Sequence, residues 1–168
     1  ILNNMLTDKQ FSKLVTSTTR FPRAGEVEGE DYYFIQSSLA EHYIDTGKFV
    51  ESNVHGGQIY GLTESELEEK LKGDRIPCVI LTPNGLPVYQ RIMEERGIDV
   101  LSFYIDASDD LLFTRLANRT ESDMAWGALD PLNALKDSLL RVRDMVLKEK
   151  DWDSYKHLYS YILDADDD

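Results

Sequence analysis

The second half of the chain alternates between short apolar runs and helix-like segments, and this alternation constrains the fold more than any other feature. Residues 76–82 form a nearly unbroken apolar run, and residues 99–107 and 159–163 form two more. Such runs are typical of strands that are buried on both faces. Because helices connect parallel strands, the strand–helix–strand–helix order predicts an α/β fold with a parallel core sheet wrapped by helices.

Start and stop signals define the helices of this second half. A proline near the first turn and a glycine after the last turn delimit one helix, and capping residues open the others. We predict helices from Pro87 to Gly97, from Ser108 to Arg119, and onward from Asp130, with Leu132, Leu135 and Leu139 at helical spacing in the last.

The first half of the chain has a different residue pattern, in which short strand-like segments are separated by turn residues. Segments 14–19, 31–35, 48–54 and 58–61 predict a small, partly antiparallel sheet. Two capping boxes, Ser38–Glu41 and Thr63–Glu66, predict helices that stop at Gly47 and Gly73.

Charge and cysteine content exclude several classes of protein. Among 168 residues, 18 Lys and Arg stand against 31 Asp and Glu, a net charge of −13. This balance argues against a broad nucleic-acid or anionic-membrane surface, and no apolar stretch is long enough to span a bilayer. The single cysteine, Cys78, excludes an intrachain disulfide and fits a reducing, cytoplasmic compartment.

Two arginines follow the first strand closely. Arg20 and Arg23 flank Pro22, and loops beyond the carboxyl ends of strands are where α/β sheets bind ligands. A guanidinium fork matches a phosphate in a two-point contact, so this spacing predicts a phosphate site. The alternative is that the arginines pair with nearby carboxylates, namely Glu26, Glu28 or Glu30.

Three motifs together carry a family resemblance. Thr16-Ser-Thr-Thr-Arg-x-Pro-Arg-x-Gly-Glu leads into Asp31-Tyr-x-Phe34, and Gly47-Lys-Phe-Val-Glu51 and His55-Gly-Gly-Gln-Ile-Tyr-Gly61 follow. Residues 14–62 closely resemble the GMP-binding region of the guanylate kinase family, and the rest of the chain resembles it more loosely. The resemblance implies one nucleoside monophosphate kinase-like domain over residues 1–168, with a GMP-binding subdomain at 20–75 and a lid at 116–131.

The resemblance also implies site roles. Glu51 would accept from N1–H and the exocyclic amine of guanine, a donor pair that adenine does not offer, and Thr16 would contact the base. Taken alone, Glu51 could equally be a solvated strand residue. The phosphate of GMP would be held by Arg20, Arg23, Tyr32 and Tyr60.

Further arginines resemble those that the family places beside the lid. Arg115 and Arg119 lie four residues apart, and Arg141 or Arg143 would be the third. By the resemblance they would neutralise charge on the transferring phosphoryl group. Arg115 and Arg119 could instead form helix-surface ion pairs with Asp109, Asp110 or Glu121.

The chain departs from the family pattern at several positions. The Gly-rich phosphate loop is missing, and Ile1–Leu6 resembles the helix that follows it. The family has aspartates that touch GMP and help order the metal; here the uncharged Thr82 is the nearest polar residue, and by the resemblance it would be the substrate contact at that place. Leu62 replaces a Ser or Thr, although Thr63 is adjacent, and the family's last helix is expected to be absent beyond Asp168. We assign no metal ligand, and ATP and Mg²⁺ are expected as cofactors only if the native protein contains the phosphate loop.

Two functions follow from these observations. One is a guanylate kinase that transfers phosphate from ATP to GMP, in which the segment Ile1–Asp168 by itself is expected to be inactive. The other is an inactive guanylate-kinase-like binding module that uses the GMP pocket for a ligand or a protein partner. A third reading, an acidic mimic of nucleic acid, depends only on charge.

Overall fold

The computed structural model describes residues 7–23, 25–125, 130–147 and 149–166. The chain forms two compact units, Ile1–Gly85 and Leu86–Asp168. Each unit contains helices and a parallel pair of strands, so the predicted α/β class is confirmed. The helix expected at residues 1–6 lies outside the described residues.

The described residues of the first unit form six strands in two sheets. They are β1 (Phe11–Lys13), β2 (Ser17–Thr18), β3 (Tyr33–Phe34), β4 (Phe49–His55), β5 (Gln58–Thr63) and β6 (Ile76–Cys78). β1 and β6 pair in parallel, and the other four form a sheet in the order β3-β2-β5-β4. Within this sheet β2 and β3 are parallel, whereas β5 is antiparallel to both β2 and β4. The prediction of a partly antiparallel sheet is confirmed.

The prediction of one strand over residues 14–19 is wrong, because the chain passes between the two sheets there. The Leu14 N–H donates to the carbonyl of Cys78 at 2.8 Å, which extends the β1–β6 pairing. The carbonyl of Thr16 instead accepts from the Tyr33 N–H at 3.0 Å, in the four-stranded sheet. Apolar, β-branched composition predicts extended backbone, but it does not predict which neighbouring strand will receive the hydrogen bonds.

The described residues of the first unit also form the helices α1 (Ser37–Asp45) and α2 (Glu64–Leu71). The cap predicted at Thr63 is confirmed, since its side chain accepts from the Glu66 N–H. The capping box predicted at Ser38 is wrong, because the N-cap of α1 is Gln36, two residues earlier, and Gln36 makes no side-chain cap bond.

Among the described residues of this unit, Leu62 and Leu67 are the largest apolar side chains that are fully buried. Leu62 lies on β5 beside Gly61, a position where steric crowding requires glycine. A Cβ atom at Gly61 would lie 2.8 Å from the ring of Phe49, so only glycine lets that ring pack on the strand.

The apolar run at 76–82 is less buried than predicted. Only Ile76–Cys78 forms a strand, and Ile76 and Ile80 are 55% and 74% exposed. Among the described strands β6 pairs only with β1, so the other edge of β6 makes no strand-to-strand hydrogen bonds with a described strand. A short 3₁₀ turn at Pro83–Gly85 ends the run.

The second unit consists mostly of helices. They are α3 (Leu86–Glu95), α4 (Asp109–Ala125), α5 (Pro131–Leu147) and a 3₁₀ segment, Glu149–Leu158, while β7 (Phe103–Asp106) pairs in parallel with β8 (Tyr161–Asp164). The start signals are confirmed, since Ser108 Oγ accepts from the Leu111 N–H and Asp130 Oδ1 accepts from the Leu132 N–H. Helix α4 extends beyond the predicted end at Arg119, through most of the segment where a lid is expected. Residues 126–129 of that segment lie outside the described residues.

The apolar stripe predicted on α5 is helical but exposed. Leu132, Leu135 and Leu139 are all more than half exposed, and Ala134 is the buried residue of that turn. Periodicity therefore predicted the helix correctly but not the burial of its apolar face. No helix in the described part of the chain has the length and apolarity that a bilayer-spanning segment requires.

Candidate functional site

A β-bulge sets the direction of Glu51. The register shifts between Phe49, which pairs with Thr63, and Glu51, which pairs with Leu62. Without the extra residue, Phe49 and Glu51 would point to the same face of the sheet. Because of the bulge, the Phe49 ring packs on Gly61 on one face of the sheet. The Glu51 side chain lies on the opposite face, with Leu62 and Tyr60.

The register also aligns a row of side chains across the sheet. Asn53 pairs with Tyr60, Tyr60 with Thr18, and Thr18 with Phe34. Directly paired residues share a face, so this row lies beside Glu51. The Tyr32 ring packs edge-on against that of Tyr60, with 6.0 Å between centroids. Two of the predicted phosphate contacts, Tyr32 and Tyr60, are thus brought together.

Arg20 joins these tyrosines. Its guanidinium lies 5.1 Å from the Tyr32 ring centroid, and its backbone N–H donates to Thr18 Oγ1. The Arg20 side chain is only 12% exposed, which distinguishes it from a surface arginine. Its Nε atom is buried and has no hydrogen-bond partner among the described residues.

Glu26 binds both predicted phosphate arginines. Its two carboxylate oxygens accept from Arg20 Nη1 and Nη2 at 2.8 Å each. The backbone N–H of Arg23 donates to Glu26 Oε2 at 2.7 Å, and Arg23 Nη1 lies 3.8 Å from Oε1. The pairing with a nearby carboxylate, one of the two sequence alternatives, therefore forms in this structure through Glu26.

Opposing effects set the pKa values of this pair. Burial acts to raise the pKa of Glu26, but the hydrogen bonds from Arg20 and the Arg23 backbone outweigh it and lower that pKa. Burial likewise acts to lower the pKa of Arg20, while Glu26 and the Tyr60 hydroxyl raise it above its ordinary value. Both groups are held in their charged forms.

Glu51 contrasts with Glu26 because it is half-buried without a partner. No described residue donates a hydrogen bond to it, and burial raises the pKa of its carboxyl. The carboxylate lies against the turn at Pro83–Gly85, where a Cβ atom at Gly85 would be 3.4 Å from Glu51 Oε1. The burial of Glu51 argues against a solvated strand residue, and an unpaired buried carboxylate is costly unless a ligand supplies donors.

Thr82 lies at the same turn and contacts Asn53. Asn53 Nδ2 donates to Thr82 Oγ1 at 2.7 Å, and the Cβ position at Gly85 is 3.8 Å from that oxygen. Thr82 and Glu51 therefore border the same turn. Sequence reasoning missed Asn53, although its i+2 spacing from Glu51 places it on the same strand face.

Glu66 is a second residue that sequence reasoning treated only as a cap. Its carboxylate accepts from the Val15 N–H at 3.0 Å and from the Tyr33 hydroxyl at 3.1 Å, and the residue is buried. It therefore ties the segment carrying Thr16 to the strand that follows Tyr32.

The three predicted catalytic arginines lie in the second unit. Arg115 and Arg119 are one turn apart on α4, and Arg141 is on α5. Arg141 Nε donates to Asp137 Oδ2 at 2.9 Å, an ion pair between successive turns of one helix. Thr120 and Ser138 hydroxyls hydrogen-bond between α4 and α5, which places these two helices side by side.

The described residues contain no group of three or more His, Cys, Asp or Glu side chains that could hold a metal ion. At the turn beside Glu51 the oxygens come from Thr82 and Asn84, which are neutral.

Comparison with known proteins identifies relatives over nearly the whole chain. A family model described as guanylate kinase matches residues 1–165. The guanylate kinase of Fusobacterium nucleatum is 38% identical over 112 residues, which are 65% of this chain and 58% of that protein. The guanylate kinase of Rubrobacter xylanophilus is 40% identical over 117 residues, 69% of this chain and 60% of that protein.

A solved structure shows the same fold. The crystal structure of guanylate kinase from Anaplasma phagocytophilum matches with a TM-score of 0.64 and 25% identity, over 98% of this chain and 70% of that one. The chain spans 58% and 65% of the length of two curated relatives, from Fusobacterium nucleatum and Lactobacillus acidophilus. The match to the family model and the common fold show that this chain belongs to the guanylate kinase family.

Proposed function

We propose that the first unit binds GMP as the phosphate acceptor of a guanylate kinase. The observation that carries this proposal is Glu51, a half-buried carboxylate with no partner among the described residues, on the same sheet face as Tyr60. Guanine supplies two adjacent donors, N1–H and the 2-amino group, which one carboxylate accepts as a pair. A bound guanine would thus compensate the burial of Glu51.

The phosphate of GMP would be bound at the other end of this face, by Arg20, Arg23, Tyr32 and Tyr60. Glu26 engages the Arg20 fork in the two-point geometry that a phosphate also uses. A phosphate approaching Arg20 therefore competes with Glu26 or shares the guanidinium with it. The unpartnered Nε of Arg20 offers a donor that Glu26 leaves unused.

The phosphoryl donor in this proposal is ATP with Mg²⁺, as is general in the family. Arg115, Arg119 and Arg141 would neutralise the charge on the transferring group. Mg²⁺ sites in such enzymes combine carboxylates with substrate phosphates, whereas Thr82 and Asn84 offer only neutral oxygens. The described residues by themselves do not fit a magnesium site, so the role proposed for this chain is acceptor binding and charge neutralisation.

Those neutral oxygens favour a second candidate, a binding module that retains the GMP pocket without catalysis. A coupled assay of ADP release, with GMP on the native full-length protein, separates the two. GMP-dependent ADP release supports the kinase. GMP binding by calorimetry without ADP release supports the binding module, and absence of GMP binding contradicts both.

A further inference from the structure

Asn53 occupies a position between the two ends of the proposed GMP site. It follows Glu51 by two residues on β4, so both side chains point to the same face. It also pairs directly with Tyr60, the proposed phosphate contact. Any ligand that reaches from Glu51 to Tyr60 passes this side chain.

Two neighbours fix the orientation of the Asn53 carboxamide. Its Nδ2 donates to Thr82 Oγ1 at 2.7 Å and lies 3.4 Å from Asn84 Oδ1. These contacts engage the amide nitrogen and leave the carbonyl oxygen Oδ1 with no partner among the described residues. Asn53 is partly buried, so an unsatisfied acceptor here costs free energy that a ligand donor would recover.

We propose that Asn53 is a specificity-determining residue of the base site, a proposal that rests on the proposed function. Guanine carries three N–H hydrogens on one edge, one on N1 and two on the 2-amino group. A carboxylate takes the N1 hydrogen and one amino hydrogen, and Asn53 Oδ1 accepts the other amino hydrogen. Acceptors ~2.9 Å from the amino nitrogen, along directions 120° apart, are separated by about 5 Å. Side chains two residues apart on one strand, with Cα atoms ~6.6 Å apart, span such a separation.

Thr82 and Asn84 then act through Asn53 as positioning residues. They hold the amide nitrogen away from the base, so that the acceptor and not the donor end of the carboxamide faces the amino group. The Thr82 hydroxyl carries the shorter of the two contacts. Replacing it with the similarly shaped Val would release the carboxamide while preserving the backbone of the turn.

The experiment compares two ligands that differ only in the 2-amino group, GMP and IMP, by calorimetry on the chain without ATP. Asn53→Ala is expected to weaken GMP binding about fivefold, the effect of one hydrogen bond, and to leave IMP binding unchanged. Thr82→Val should lower the GMP-over-IMP preference in the same direction by a smaller factor. Ser52→Ala, an exposed neighbour on the opposite face, is the matched control and should change neither affinity.

The outcomes separate this inference from the proposed function. Equal weakening of GMP and IMP by Asn53→Ala would show a merely structural role and overturn the inference, as would no change in either affinity. If Glu51→Ala strongly weakens GMP binding while Asn53→Ala has no effect, the proposed function stands and the inference fails. Absence of GMP binding to the unmodified chain overturns both.

Discussion

The two units differ in one respect, because the first contains, beside the Arg20–Glu26 ion pair, a carboxylate without a described partner, whereas the charged groups compared in the second unit are paired. In the first unit Glu51 is half-buried without a described partner, and burial raises its pKa. In the second unit, Lys156 Nζ lies 2.6 Å from Asp106 and 3.0 Å from Asp153, and Arg141 pairs with Asp137. Hydrogen bonds to both aspartates raise the pKa of Lys156.

This difference indicates where substitution should affect binding and where it should affect little. A buried group without a partner costs stability and remains available to a ligand. In an exposed ion pair along a helix, each charge already has a partner, and the pair contributes little to the free energy of unfolding. We therefore expect large effects on ligand affinity from the first unit and small effects from the ion-paired helix face of the second.

The largest effect is expected from Glu51→Ala. A charge-assisted pair left unmade costs about 2–3 kcal/mol, so GMP affinity should fall roughly 30- to 150-fold. Calorimetry with GMP and AMP measures the loss and the base preference. Because the Glu51 carboxyl is half-buried without a partner among the described residues, its removal should not lower the melting temperature, and an unchanged melting temperature would exclude unfolding as the cause. Equal affinities of the unmodified chain for GMP and AMP would contradict the assignment.

Arg20→Ala should give the next largest effect. Charge-assisted hydrogen bonds contribute about 1.5–3 kcal/mol, so GMP affinity should fall roughly 10- to 150-fold. Guanosine lacks the phosphate, so its weaker binding should be unaffected by the substitution. If the variant binds GMP as well as the unmodified chain, Arg20 is only the partner of Glu26.

The pH dependence of GMP binding tests the same contrast through Glu51. Its pKa in the folded chain is raised by burial, and only the ionised carboxylate accepts both guanine donors. GMP affinity should therefore be full above this pKa and fall about tenfold per pH unit below it, starting at a higher pH than for an ordinary glutamate. The pH profile of Glu51→Gln provides the control, since this component should vanish from it.

The raised pKa of Glu51 also affects the stability of the folded chain, and here the pH dependence is opposite to that of GMP affinity. A carboxyl whose pKa is raised on folding binds more protons in the folded than in the unfolded state. Its contribution therefore destabilises the folded chain when it ionises and is relieved as the pH falls through the raised pKa. For Glu26, whose pKa is lowered, the stabilising contribution is present at neutral pH and is lost on acidification.

The smallest effect is expected from Asp137→Ala in the second unit. The pair with Arg141 joins successive turns of α5 and is partly exposed, so its loss should cost only about 0.3–0.5 kcal/mol of unfolding free energy. Denaturant titration measures this, and GMP affinity should not change. A loss above about 1 kcal/mol would show that this ion pair is more than a helix-surface contact.

Local signals in the sequence predicted several elements because their causes are themselves local. Asp130 and Ser108 cap helices through their own side chains, and Gly97 adopts a positive φ of 68° after α3. The family resemblance likewise followed from the order of residues between 14 and 62, and the match to the family model confirms it.

The tertiary structure decided what depends on contacts between distant segments. The bulge beside Glu51, the passage of the chain between sheets at Leu14 and Thr16, and the exposure of Leu132 all depend on which strands and helices become neighbours. The orientation of the Asn53 carboxamide depends on its contacts with Thr82 and Asn84, 29 and 31 residues further along the chain. Sequence by itself determined the α/β class and the family, because capping, turn and motif residues act over a few positions. The environment of Glu51 depended on the fold, because burial and hydrogen bonding are set by residues far apart in sequence.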